Sequence, residues 1–120
     1  MGSSMLDNLG QIHVVTGAIT ASAGTAAALT SNDLSATLTR TAAGNYIVTF
    51  GDAFLSVPAV VPTLVDATFT TTDVPGVITL QAVSTASAVF NMSQAAVSAT
   101  VNALADVGDI YFIAVGLRNN

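Results

Sequence analysis

Apolar and polar side chains alternate along this chain in short runs, and each run is closed by Gly, Pro, Asn or Asp. A period of two places successive side chains on opposite faces of a strand, so each run predicts a half-buried strand and each closing cluster a turn. The first run is Gln11 to Ile19, with Ile12 and Val14 on one face and His13 and Val15 on the other. Gly17 within it suggests a bend or bulge. Thr20 to Thr30 is Ala-rich, but Gly24 and the neighbouring Ser and Thr weaken a helix, and a loop or short strand is expected.

A hairpin follows. Leu34, Ala36 and Leu38 alternate with Ser35, Thr37 and Thr39, and Ala42-Ala43-Gly44-Asn45 supplies a turn. Gly and Asn are the residues that best tolerate positive φ. The return strand, Tyr46 to Phe50, sets Tyr46, Val48 and Phe50 on one face. Gly51 to Val57 reads as a loop carrying Phe54. Pro58 and Pro62 place the next segment at an edge or at a strand start, and a strand is expected over Thr63 to Thr70. Residues 71–76, TTDVPG, form a turn. Val77 to Val83 pairs back, with Val77, Thr79, Gln81 and Val83 opposite Ile78, Leu80 and Ala82. Ser87 to Ser93 points Ala88, Phe90 and Met92 one way. Gln94 to Ala105 is compatible with helix or strand, and its neighbours favour strand. After a turn at residues 106–109, Ile110 to Leu117 is apolar on both faces, as a fully buried central strand would be.

Strands of this length and spacing predict an all-β, antiparallel β-sandwich. An arm over residues 1–16 leads into the first strand, and residues 17–120 make one sandwich domain. The opening MGSSMLDNLG has no basic region and no apolar stretch of the secretory kind, and Gly2 to Ser4 are either a vector remnant or a native arm. The longest apolar runs, such as Ile110 to Val115, are far short of the roughly 20 residues a membrane helix needs.

Composition sharpens the picture. Of 120 residues only 8% are charged, against about 25% in an average soluble domain. Hydrophobic residues make up 52% and aromatics 6%, so the apolar bulk is mainly Ala and Val. There is no Cys, Trp, Lys or Glu, and the formal net charge is -5. A disulfide scaffold, a thiolate metal site and Lys-dependent phosphate or Schiff-base chemistry are excluded. Two basic residues cannot supply the phosphate contacts that nucleic-acid affinity rests on. Strands that are apolar on both faces need a second covering layer, and a sandwich this small has one interior. A homo-oligomer is therefore expected, with the charge deficit concentrated on the subunit interface and the Asp residues on turns and the solvent face.

Residues Gly44 to Phe69, GNYIVTFGDAFLSVPAVVPTLVDATF, resemble the G-x-Y-x-V-x-F … F … x-P-x-V segment of small β-sandwich domains in bacteriophage fibres and capsid-decorating proteins. The ending IYFIAVG, Ile110 to Gly116, resembles the closing strand of such domains. The resemblance implies a jelly-roll-like sandwich in a homotrimer and a place in a virion, and it carries over no catalytic residue.

Candidate chemistry is sparse. His13 is the only His, and no G-x-S-x-G elbow accompanies it. Its simplest reading is a strand residue at a surface or interface. Asp106 and Asp109 flank Gly108, and Asp66 and Asp73 bracket a turn, but EF-hand spacing is absent and Asp is itself a turn residue. Arg40, read on the polar face of its strand, and Arg118 are the only cations, each suited to pairing or to gripping a partner. Tyr46, Phe54, Phe69, Phe90 and Phe112 read as core rather than as a sugar platform. Asn91-Met92-Ser93 is a glycosylation sequon inside an expected strand. No catalytic, metal or cofactor site is assigned. Ile12, His13, Val14, Arg40 and Arg118 are the candidate oligomer or capsid contacts. The functional expectation is a capsid decoration, or cement, protein on the exterior of a phage head, with itself and the major capsid protein as partners and neither nucleic acid nor membrane. The alternative is a receptor-binding fibre tip that recognises host glycan.

Overall fold

The computed structural model describes residues 11–66, 76–94 and 103–118. Two antiparallel sheets face each other across one core. In chain order the elements are β1 (Ile12–Ile19), a 3-10 helix (Ala21–Ala26), β2 (Leu29–Ser31), β3 (Thr37–Ala42), β4 (Asn45–Thr49), β5 (Ala59–Asp66), β6 (Val77–Val83), β7 (Ser87–Gln94), β8 (Ala103–Leu104) and β9 (Gly108–Leu117). The first sheet has the order β2-β1-β9-β5, and the second has the order β3-β4-β7-β6, with β8 paired to the end of β7.

The core forms because each sheet turns one apolar set inward. Val15 and Ile19 from β1 meet Ile110, Phe112 and Ala114 from β9. The second sheet contributes Tyr46, Val48, Ala88, Phe90 and Met92. Burial of each larger side chain contributes roughly 1.5–3 kcal/mol. Phe54, from the loop before β5, closes one end of the core edge-on to Phe50. All the aromatic residues singled out above that fall among the described residues, Tyr46, Phe54, Phe90 and Phe112, are buried. Phe69 lies outside the described residues, as do most of Gln94 to Ala105 and of the 71–76 turn.

Several expectations need correction. Leu34 belongs to no strand and is 95% exposed on a turn. The Asp33 carboxylate accepts the Ser35 N–H at 3.1 Å and the Gly51 N–H at 2.8 Å, so turn chemistry overrides the alternation and β3 starts at Thr37. Gly17 makes neither bend nor bulge, since β1 and β9 pair in unbroken register. Its missing Cβ makes room for the Phe112 ring, which would lie 2.4 Å from that atom. The register shifts fall elsewhere: in β3 between Arg40 and Ala42, and in β6 between Leu80 and Ala82, where the bulge turns Val83 inward beside Ile78 and Leu80. The Ala-rich stretch before β2 forms two 3-10 turns that meet at Gly24, whose own φ of +62° is not helical, and the short strand expected there is confined to its end, at Leu29–Ser31. The strand before the second turn starts at Ala59 rather than Thr63. Strand β9 is central, but only one of its faces is buried: Tyr111, Ile113 and Val115 are open.

Candidate functional site: two uncharged faces and the latch between them

The outward face of the β1-β9-β5 sheet follows from register. Val14 pairs with Val115, which pairs with Ala59; Thr16, Ile113 and Val61 make the next row, and Ala18, Tyr111 and Thr63 the next. Aliphatic side chains dominate these rows. Val61 is 59% exposed, Tyr111 48% and Ile113 40%, and Ile12, Val14, Val65 and Val115 are exposed with them. Among the described residues the only charge on this face is Asp109, at one end, where its carboxylate accepts from the Ser22 N–H (3.1 Å) and hydroxyl (2.7 Å).

A shallow groove of about 350 Å³ crosses the same face between Thr16, Ala18, Thr30, Asn32 and Tyr111, with Gly17 and Phe112 as its floor.

The outward face of the other sheet is mostly polar and, among the described residues, carries no charge; Ile47 and Val89 are half-buried in its middle and Val77 is exposed at one end. Thr37, Thr39, Thr49 and Thr79 are exposed there. A chain of side-chain hydrogen bonds crosses its four strands. Thr41 donates to Asn45 (2.6 Å), the Asn45 amide donates to Asn91 (2.8 Å), and the Asn91 amide donates to Gln81 (2.8 Å). The sequon residue Asn91 is thus the centre of this ladder.

The described charges sit at the two ends of the sandwich. Asp33, Asp52 and Arg118 lie at one end, and Arg40, Asp66, Asp106 and Asp109 at the other. Arg40 does not lie on the polar face of β3. It pairs with the buried Tyr46 and shares the inward register of Leu38. An inward cation needs a carboxylate, and Asp106 provides it at 2.6 Å. Asp106 also accepts from the Gly44 N–H (2.9 Å) and from the Tyr46 hydroxyl (2.5 Å), and the Ala21 carbonyl lies 3.2 Å from that hydroxyl. The cluster latches the β3–β4 hairpin to the segment that enters β9. Gly44 suits this position twice over. Its φ is +73°, and an added Cβ would lie 2.5 Å from the Met92 carbonyl oxygen.

Burial works against ionisation of Asp106. The hydrogen bonds from Arg40, Tyr46 and Gly44 outweigh it and hold the carboxyl below its ordinary value. Burial, and then the bond to Asp106, push the Tyr46 hydroxyl up to about 12.

Ile12 and Val14 lie on the aliphatic outer face. His13, one position out of phase, points inward. Its ring packs on Phe54 with centroids 4.9 Å apart, and its Nε2 is buried with no hydrogen-bond partner in the protein. Arg118 is exposed at the end where the first and last described residues meet, its N–H bonded to the Gln11 carbonyl. The structure therefore does not bring the five candidate contacts together. Two lie on one face, two at one end and Arg40 in the latch. The ladder and the latch escaped sequence reasoning. A Leu38-to-Arg40 spacing in phase with an apolar face was the available signal for the latch.

Among the described residues no group of three or more His, Cys, Asp or Glu side chains is placed to hold a metal ion. No protein-family model matches the chain, and neither does any curated protein or solved structure.

Proposed function

We propose that the chain is a structural subunit that works by covering and being covered: a decoration protein that trimerises as a jelly-roll-like sandwich on the outside of a phage head and strengthens the shell. The observation that carries this reading is the broad aliphatic outer face of the β1-β9-β5 sheet, with the described charges set at the ends of the sandwich. Contiguous apolar patches of this size mark interaction surfaces. The virion setting rests on the resemblance of residues Gly44 to Phe69 and Ile110 to Gly116 to phage sandwich domains. A subunit that binds the assembled shell and not free capsomers stabilises the shell by linkage. The test compares complete particles with particles lacking the chain. Loss of the genome at a lower temperature without it is expected, and equal retention contradicts the reading.

The groove beside Tyr111 favours a second reading, a fibre tip that holds a host sugar. An exposed aromatic ring next to Thr16, Thr30 and Asn32 suits a stacked pyranose. A clear hit on a glycan array that Tyr111→Ala abolishes would favour it.

A further inference from the structure

We infer that copies of this chain associate by turning the outer surfaces of their β1-β9-β5 sheets towards a shared axis, and not by adding strand to strand at an edge of that sheet. The inference deepens the structural reading above and rests on it for the need to cover this face. Three observations carry it.

The first is size. Val14, Val61, Val65, Tyr111, Ile113 and Val115 together expose on the order of 500 Å² of apolar side chain, and a standard interface takes about 800 Å² from each partner. Thr16, Ala59 and Thr63, exposed between them, extend the face.

The second is charge. The chain carries a net charge of -5, so a charged patch would repel its own copy. Among the described residues this face carries only Asp109, at its end and already bonded to Ser22. A second copy of the same face is therefore electrostatically neutral towards it, and packing there leaves the charged ends in water. A basic partner would find nothing on the face to pair with.

The third is the state of the edges. On β1, beyond the three residues that pair with β2, the Asn32 side chain imitates a strand. Its oxygen accepts the Thr16 N–H at 2.8 Å, and its amide donates to the Val14 carbonyl at 2.9 Å. The Ser31 hydroxyl takes the Thr16 carbonyl at 2.7 Å. The outermost strand on that side, β2, is only three residues long. On the opposite side β5 is outermost and carries Pro62, which has no N–H to give. Both edges of this sheet are thus poor templates for a further strand, whereas its outer face is open.

The test uses the full chain at neutral pH and micromolar concentration, with mass read by light scattering and folding by circular dichroism. The wild-type chain is expected as a defined oligomer. Ile113→Asp and Val61→Asp are expected to shift it to folded monomer, with association at least tenfold weaker, while Thr79→Asp on the opposite outer face leaves the mass unchanged. If the Asp variants do not fold, Ile113→Thr and Val61→Thr keep strand propensity and are expected to weaken association in the same direction. A wild-type monomer overturns the inference. So does an oligomer insensitive to changes at 61 and 113, or one equally sensitive at 79. An oligomer that fails to bind or protect particles leaves this interface standing and removes the decoration role. A monomer that protects particles does the reverse.

Discussion

The two outer faces of the sandwich are equally poor in charge and differ in everything else. On the β3-β4-β7-β6 side, Thr41, Asn45, Asn91 and Gln81 spend their polar groups on one another, and Thr37, Thr39, Thr49 and Thr79 are exposed. On the β1-β9-β5 side Val, Ile and Ala hold most of the outward positions, and the polar groups, Thr16, Thr63 and Tyr111 among them, are set between aliphatic side chains. Low overall charge therefore has two causes in one small domain. A polar, self-satisfied sheet face can stay in water at no cost. An aliphatic face of this breadth is stabilised by leaving it. The bulk composition predicted one uncharged interface, and the structure separates a mostly polar face from a mostly aliphatic one.

The largest expected effect breaks this contrast directly. Asp at Ile113 should abolish association and Asp at Thr79 should not, as read by mass. Equal effects would mean that the two faces are not different in kind.

The next effect concerns the latch that joins the two sheets. Asp106→Ala removes an acceptor that serves Arg40, Tyr46 and Gly44, and it should cost about 2–3 kcal/mol in a denaturant titration. Gly44→Ala should cost a similar amount, through its positive φ and the contact with Met92.

The latch also sets the pH limits. The Asp106 carboxyl titrates lower in the folded than in the unfolded chain. Its contribution is thus present above the unfolded value near 4 and is lost as pH falls through the lower folded value. Tyr46 titrates higher when folded, so its contribution is whole below about 10 and is lost as pH rises towards about 12. Thermal melts should show both losses, and Tyr46→Phe should remove the alkaline one.

Smaller effects sharpen the comparison. Asn91→Ala cuts the ladder in the middle and should cost about 1 kcal/mol without altering mass. His13→Phe removes a buried, unpaired nitrogen against Phe54 and should stabilise the fold by about 1 kcal/mol.

The strands that alternate cleanly were legible in the sequence. Ser87 to Ser93 forms as expected, because one face is buried and the period of two survives in the residue types; Val77 to Val83 keeps its bounds, but the bulge after Leu80 reverses the facing of Ala82 and Val83. Leu34 misleads because the alternation runs on into a turn where the Asp33 side chain decides the backbone. The outward-facing half of β9 misleads for the opposite reason. Tyr111, Ile113 and Val115 are as apolar as core residues, and a sequence does not distinguish a face covered within its own chain from one left for another. The latch joins residues 66 apart in the chain, Arg40 and Asp106, and no local pattern records such a pair.

If other copies of the chain cover the aliphatic face, the wild-type protein does not exist as a free monomer. Its molar mass by light scattering, at micromolar concentration and neutral pH, is then expected to be a whole multiple of 12.0 kDa, two or more, that persists on tenfold dilution. A stable species at 12.0 kDa would contradict it.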